Sequence, residues 1–185
     1  MKNPVKSYDY GRRRGVIELS WADAATLAQR LAESLAAADV DLVIGIARGG
    51  LIPATAVACA LRRELYPVRL TRRVNDNVRY RTPVWRVDVP QAVAGCAVAI
   101  VDDIADSGET LALVAERVRQ RGATRLVTTC LVSHSWPEPP PDLTALRSDA
   151  LVVFPWDRHV LIDGVWRLHP ELAAAMRLQG TPQIT

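Results

Sequence analysis

Short continuous apolar runs rich in β-branched residues alternate along this chain with longer stretches whose apolar positions recur three and four residues apart. A continuous run is the pattern of a strand covered on both faces, and the wider spacing is that of a helix laid against such a sheet. Strands are therefore predicted over residues 16–19, 40–46, 66–70, 98–102, 125–132 and 150–154, and helices over 21–38, 51–63, 111–121 and 169–178. Strands alternating with helices give the fold class. It is α/β: a mostly parallel sheet of about five strands flanked by helices and joined by right-handed crossovers.

Punctuating residues set several boundaries. Ser20 is placed to cap the helix that follows, with Asp23 three positions on to complete the cap. Pro53 falls in the first turn of its helix, where a missing N–H costs little, and Gly122 is placed as a C-cap. Residues 137–141 are too rich in proline for a helix or a central strand. Residues 160–162 and 165–168 flank Asp163-Gly164, a hairpin signal. The segment 71–94 shows little periodicity and carries Arg72, Arg73, Arg79, Arg81 and Arg86; a connection this long is either functional or contains a hairpin. The expected organisation is one domain over 1–185, with a basic arm at 1–15, a flexible loop at 71–94 and a small hood or tail at 158–185.

Composition narrows the class without deciding it. A chain of 185 residues, 49% hydrophobic and 23% charged, suits a soluble globular domain with a sizeable core. The net charge of +3 fits a polyanionic small molecule as well as it fits weak nucleic-acid contact and decides nothing alone, though nucleic acid is not the expected partner. The basic run at 11–15 reads first as a solvated terminus and second as a phosphate-binding arm. Cys59, Cys96 and Cys130 have neither pairing nor metal spacing and read as thiols in a reducing compartment. No apolar run approaches the ~20 residues of a membrane span, and the opening residues lack a signal-peptide core. A cytoplasmic location with no membrane partner is expected.

Candidate chemistry gathers after two of the strands. The run 98–102 leads into Asp102 and Asp103, then into Asp106-Ser107-Gly108-Glu109-Thr110 and a helix. Acids at the carboxyl end of a parallel strand stand where open α/β sheets bind ligands, and a small-residue turn opening a helix presents N–H groups and a positive dipole end to a phosphate. The run 40–46 leads into Ala47-Arg48-Gly49-Gly50, where two glycines admit a ligand close to the backbone and Arg48 offers a forked cation to a diphosphate. Ordinary strand-to-helix turns with solvated acids are the plain alternative. The coincidence of apolar run, acid pair and turn in order argues against it.

In that order these residues resemble the type I phosphoribosyltransferases, whose signature for phosphoribosyl pyrophosphate (PRPP) is a hydrophobic strand, an acid pair and Asp-Ser/Thr-Gly-x-Thr. The resemblance implies transfer of the phosphoribosyl group from PRPP to a base, with pyrophosphate released. It implies that Asp102 and Asp103 hold the ribose hydroxyls and assist a Mg²⁺ ion bound largely through substrate and water. The 5′-phosphate falls on Asp106 to Thr110, Asp106 is the general base, and the loop at 47–50 cradles pyrophosphate. Arg72 and Arg73 are the first candidates among the loop arginines, and a homodimer is implied. Phe154-Pro155-Trp156-Asp157 resembles the base-binding segment of the xanthine-guanine and hypoxanthine-guanine enzymes, with Trp156 stacking on the purine. One departure touches specificity: the lysine those enzymes carry after the fourth strand is absent, leaving Ser133 or His134 to donate to the base. A transferase for a non-purine acceptor and a PRPP-sensing regulator that binds nucleic acid through the basic arm are the alternatives.

Overall fold

A computed structural model of the chain describes residues 13–180 apart from 75, 76 and 81, and the side chains at 73, 74, 77 and 78 lie outside that description. The elements run β1 (Val16–Glu18), α1 (Trp21–Ala36), β2 (Leu42–Ile46), α2 (Leu51–Leu61), β3 (Glu64–Thr71), β4 (Arg73–Val74), β5 (Asn77–Val78), β6 (Val84–Val87), a 3₁₀ turn (Gln91–Val93), and β7 (Ala97–Ala105). They continue as α3 (Glu109–Gln120), β8 (Arg125–Ser133), β9 (Leu143–Arg147), β10 (Leu151–Val153), β11 (His159–Ile162), β12 (Val165–Leu168) and α4 (Pro170–Leu178). The main sheet is ordered β6-β3-β2-β7-β8-β9. All pairs are parallel except β3 with β6 at one edge. The chain winds outward from β2 to β3 on one side and from β7 to β8 and β9 on the other, so the strand order reverses between β2 and β7. Ligands of open α/β sheets bind at such a switch point.

Each face of the sheet carries its own core, as the period-two alternation of strands requires. Ala99 and Val101 of β7 face α1 and α2, packing with Leu31, Leu35, Val43, Val57 and Leu131. Val98 and Ile100 face the opposite way, packing with Ile44, Val68, Val114 and Val118 on the α3 side. Small residues let α2 lie close: a Cβ at Gly45 would sit 2.8 Å from the Cβ of Ala54. Ser20 caps α1 as its spacing predicts, its Oγ accepting from the Asp23 N–H at 3.1 Å while the Asp23 carboxylate accepts from the Ser20 N–H at 2.9 Å.

The larger departures from the sequence reading have physical reasons. The strand expected to end at Asp102 continues to Ala105, because its ladder with β8 runs on through Ile104↔Val132 and Ala105↔Ser133. The run at 150–154 does form a strand buried on both faces, with Val152 and Phe154 on the α1 core and Leu151 and Val153 on α4, yet β10 pairs with β1 outside the main sheet. The edge of the main sheet is filled by β9, whose half-exposed Leu-Thr-Ala-Leu-Arg carries too little apolar pattern to announce a strand. Asp142 fixes where β9 begins, its carboxylate accepting from the Thr128 N–H at 2.7 Å and the Thr128 hydroxyl at 2.8 Å. Within 71–94 the described residues form the β4–β5 hairpin and β6, the hairpin being one of the two readings that the sequence leaves for this connection.

Ile100, with none of its surface exposed at the centre of β7, tests this packing. Ile100→Ala is expected to cost about 3 kcal/mol through lost contacts and the cavity left behind, lowering the urea midpoint without changing the slope of the transition.

Candidate functional site

The carboxyl ends of β2 and β7 bring the two sequence motifs together. β2 ends at Ile46, the Ala47–Arg48 peptide is cis, and Gly50 caps α2, so Gly49 and Gly50 lie across the end of β7. The approach admits no side chain. A Cβ at Gly49 would fall 1.8 Å from Asp103 Oδ2, and one at Gly50 would fall 2.7 Å from Asp102 Oδ1 and 2.6 Å from the Ile46 carbonyl oxygen. Glycine is required here by proximity rather than by backbone twist. Arg48 is exposed on the same loop.

Burial governs the charge of the acid pair. Desolvation pushes the Asp102 carboxyl well above the ordinary carboxylate range, and the neighbouring Asp103 charge adds to the effect. Asp103 is also raised by desolvation, against the pull of the backbone N–H of Ile104, which donates to it at 2.9 Å. The Trp156 indole N–H faces the same carboxyl without reaching hydrogen-bond geometry and has no other acceptor. Two carboxyls held so close and so dry favour a cation or hydroxyl donors beside them. Among the described residues no group of three or more His, Cys, Asp or Glu could hold a metal ion by itself. The pair fits a Mg²⁺ ion that a ligand brings with most of its own oxygen shell.

Asp106 to Thr110 form the turn into α3. Gly108 takes φ +80° and caps the helix without a side chain, and the Ser107 hydroxyl accepts from the Glu109 N–H at 3.3 Å. The proline-rich connection packs against this turn: a Cβ at Gly108 would sit 2.6 Å from the Pro139 carbonyl oxygen, and the Glu138 N–H donates to the Ser107 carbonyl at 3.2 Å. The Glu138–Pro139 bond is cis. Arg72, just past β3, pairs with Glu109 at the start of α3, tying the 71–94 segment to the turn. The Arg73 side chain lies outside the described residues.

Asp106 has two partners that sequence reasoning missed. Arg13 Nη2 donates to Asp106 Oδ1 at 2.8 Å, and the indole Nε1 of Trp136 donates to the same oxygen at 3.4 Å. The Arg13 side chain is 6% exposed, which corrects the expectation of a solvated basic terminus at this residue. Its guanidinium lies 5.0 Å from the Trp136 ring centroid, and the Trp136 ring stacks on His134 at 4.5 Å. Nothing in the run 11–15 marks Arg13 over its neighbours; its role exists only once the chain is folded.

The base-binding candidates are placed unevenly. Ser133 donates its hydroxyl to the His134 carbonyl at 2.9 Å, and His134 Nδ1 lies 2.6 Å from the Ser148 carbonyl, which only accepts, so Nδ1 carries the proton. Both donors are thus engaged within the protein, and His134 Nε2 is a buried acceptor without a partner. Trp156 stacks on Phe154 at 4.7 Å and stands 5.8 Å from Trp21, a braced aromatic wall on the Asp103 side.

Burial, and secondarily the Arg13 charge, hold His134 below the usual imidazole range. The unfolded chain therefore binds a proton that the fold resists, so His134 adds a loss of stability as pH falls through 6.5. His134→Gln is expected to flatten the rise of melting temperature between pH 5.5 and 7.5 relative to the parent, read by thermal melts across that range.

A model of the phosphoribosyl transferase domain matches residues 17–163. Xanthine-guanine phosphoribosyltransferase of Cereibacter sphaeroides is 31% identical over 118 residues, covering 62% of this chain and 68% of the relative. Orotate phosphoribosyltransferase of Brucella anthropi is 32% identical over 153 residues, covering 80% of this chain and 70% of the relative. The crystal structure of purine phosphoribosyltransferase from Pyrococcus horikoshii superposes with a TM-score of 0.71 at 31% identity, covering 80% of this chain and 98% of that one. With the glycine loop meeting the acid pair at the sheet's switch point, and the family model spanning most of the fold, this chain belongs to the phosphoribosyltransferases.

Proposed function

We propose that the enzyme transfers the 5-phosphoribosyl group of PRPP to a purine base, a 6-oxopurine above all, giving a nucleoside monophosphate and pyrophosphate. The observation that carries this reading is the contact of Gly49 and Gly50 with Asp103 and Asp102, which sets a bare backbone cradle beside two carboxyls. The bond from ribose C1 to the pyrophosphate oxygen breaks, a bond from C1 to a purine ring nitrogen forms, and the proton lost by the ring passes to Asp106. Asp102 and Asp103 hold the ribose hydroxyls, residues 106–110 take the 5′-phosphate, and residues 47–50 receive the departing pyrophosphate. Asp102 and Asp103 would hold a Mg²⁺ ion arriving with PRPP, which would neutralise charge on that leaving group. Trp156, braced from behind by Phe154, offers the base a flat face.

The purine assignment draws on the relatives named for xanthine and guanine. A pyrimidine acceptor is the second reading. The orotate relative favours it, as does the engagement of Ser133 and His134 within the protein where purine enzymes of this family carry a lysine.

Pyrophosphate release from PRPP and Mg²⁺, measured in parallel with hypoxanthine, guanine, xanthine, adenine, uracil and orotate, tests both. Turnover with an oxopurine is expected, and Asp106→Asn should lower kcat by roughly 10²–10⁴-fold with PRPP binding retained. Turnover with orotate alone would replace the purine reading by the second. The acid pair makes a separate prediction, because desolvated like charges destabilise the empty site. Asp102→Asn should raise the melting temperature of ligand-free protein by ~2–4 °C, the equivalent of about 1 kcal/mol, while weakening PRPP binding in calorimetry.

A further inference from the structure

The fold brings a buried cation from ahead of β1 to Asp106. Arg13 precedes β1 and lies outside the matched family segment, which begins at residue 17. Its backbone is anchored from one side only a residue away, where the Arg14 N–H donates to the Asp149 carbonyl at 2.9 Å. The Asp149 carboxylate in turn accepts from the Ser135 N–H at 2.8 Å and the Ser135 hydroxyl at 2.9 Å, fixing the residue next to Trp136. One residue thereby registers both groups that hold Asp106. Arg13 reaches Asp106 at 2.8 Å, Trp136 reaches the same oxygen at 3.4 Å, and the guanidinium rides 5.0 Å from the indole centroid.

The consequence for Asp106 is asymmetry. Oδ1 is engaged by two donors from the protein, while the side chain as a whole is 22% exposed, against 6% for Arg13. A carboxylate clamped through one oxygen presents the other in a set direction, and a charge-assisted bond to a planar guanidinium is the kind that sets direction. From this geometry we infer that Arg13 is a positioning residue for the transfer reaction, holding Asp106 by Oδ1 so that Oδ2 meets the proton of the incoming base. The inference rests on the proposed role of Asp106 as proton acceptor. It gives the segment ahead of β1 a part in the active site that the family match does not cover.

The test is a cycle of wild type, Arg13→Gln, Asp106→Asn and the double variant, assayed for transfer with PRPP and the best acceptor and melted in parallel, with Arg13→Lys alongside. Arg13→Gln is expected to lower kcat by about tenfold or more, with KM for PRPP within about twofold of wild type, since positioning the proton acceptor is worth part of what the acceptor itself contributes. Arg13→Lys should recover part of that loss. In the Asp106→Asn background the same change should cost less than about twofold, and the melts should be non-additive, as for groups that act through one another. Losses that multiply in the double variant, a loss confined to KM for PRPP, or Arg13→Gln turning over faster than wild type would each overturn the inference. The last would make Arg13 a competitor of the base for Asp106. A wild type that transfers to no acceptor would defeat the proposed function itself, whereas a competent wild type with an unaffected Arg13→Gln variant defeats this inference alone.

Discussion

Everything at the ligand end of this fold depends on how closely one backbone approaches two carboxyls. Gly49 leaves no room for a Cβ against Asp103, and Gly50 leaves none against Asp102. That approach removes water from the acids and pushes both carboxyls upward. The empty site therefore stores an electrostatic cost that a ligand with hydroxyl donors and a bound cation relieves, and a functional site commonly carries such a cost at the expense of stability. The sheet makes the approach possible by placing β2 beside β7 where the winding reverses, so that both loops leave the same edge.

Around this contact the other segments act as struts. The turn into α3 is buttressed by the Pro139 carbonyl and by the Glu138 N–H, and Arg72 ties the 71–94 segment to Glu109. Asp106 is steadied by Arg13 and Trp136, and Asp149 sets both in register. A turn whose glycine caps a helix without a side chain depends on such external contacts to keep its N–H groups aimed at one place. The proline-dense connection, too rich in proline for a helix or a central strand, serves as a buttress of the turn into α3. Its prolines limit the conformations that the buttress has to choose among.

Much of the fold was legible because it rests on local patterns. Buried runs at 40–46 and 98–102, the Ser20 and Asp23 cap and the Asp163-Gly164 hairpin all depend on residues within a few positions of one another. Ligand motifs were legible for the same reason: a glycine pair and an acid pair, each at the end of a buried strand, are local signals. The run at 150–154, a strand that pairs outside the main sheet, was read correctly for burial as well, since Val152 and Phe154 face one core and Leu151 and Val153 another.

The sequence by itself therefore determined the α/β alternation and the glycine and acid motifs that stand at the ends of two buried strands. Tertiary structure alone decided which strand fills the sheet edge, where β9 pairs with β8, is tied at its start by Asp142 to Thr128 and packs Leu143, Ala145 and Leu146 on the core. It alone joined Gly49 to Asp103 and Arg13 to Asp106, pairs separated by many residues and by different elements. Local sequence encodes what a segment buries; contacts across such separations depend on the packing of every element between them, and no periodicity in the chain records that packing.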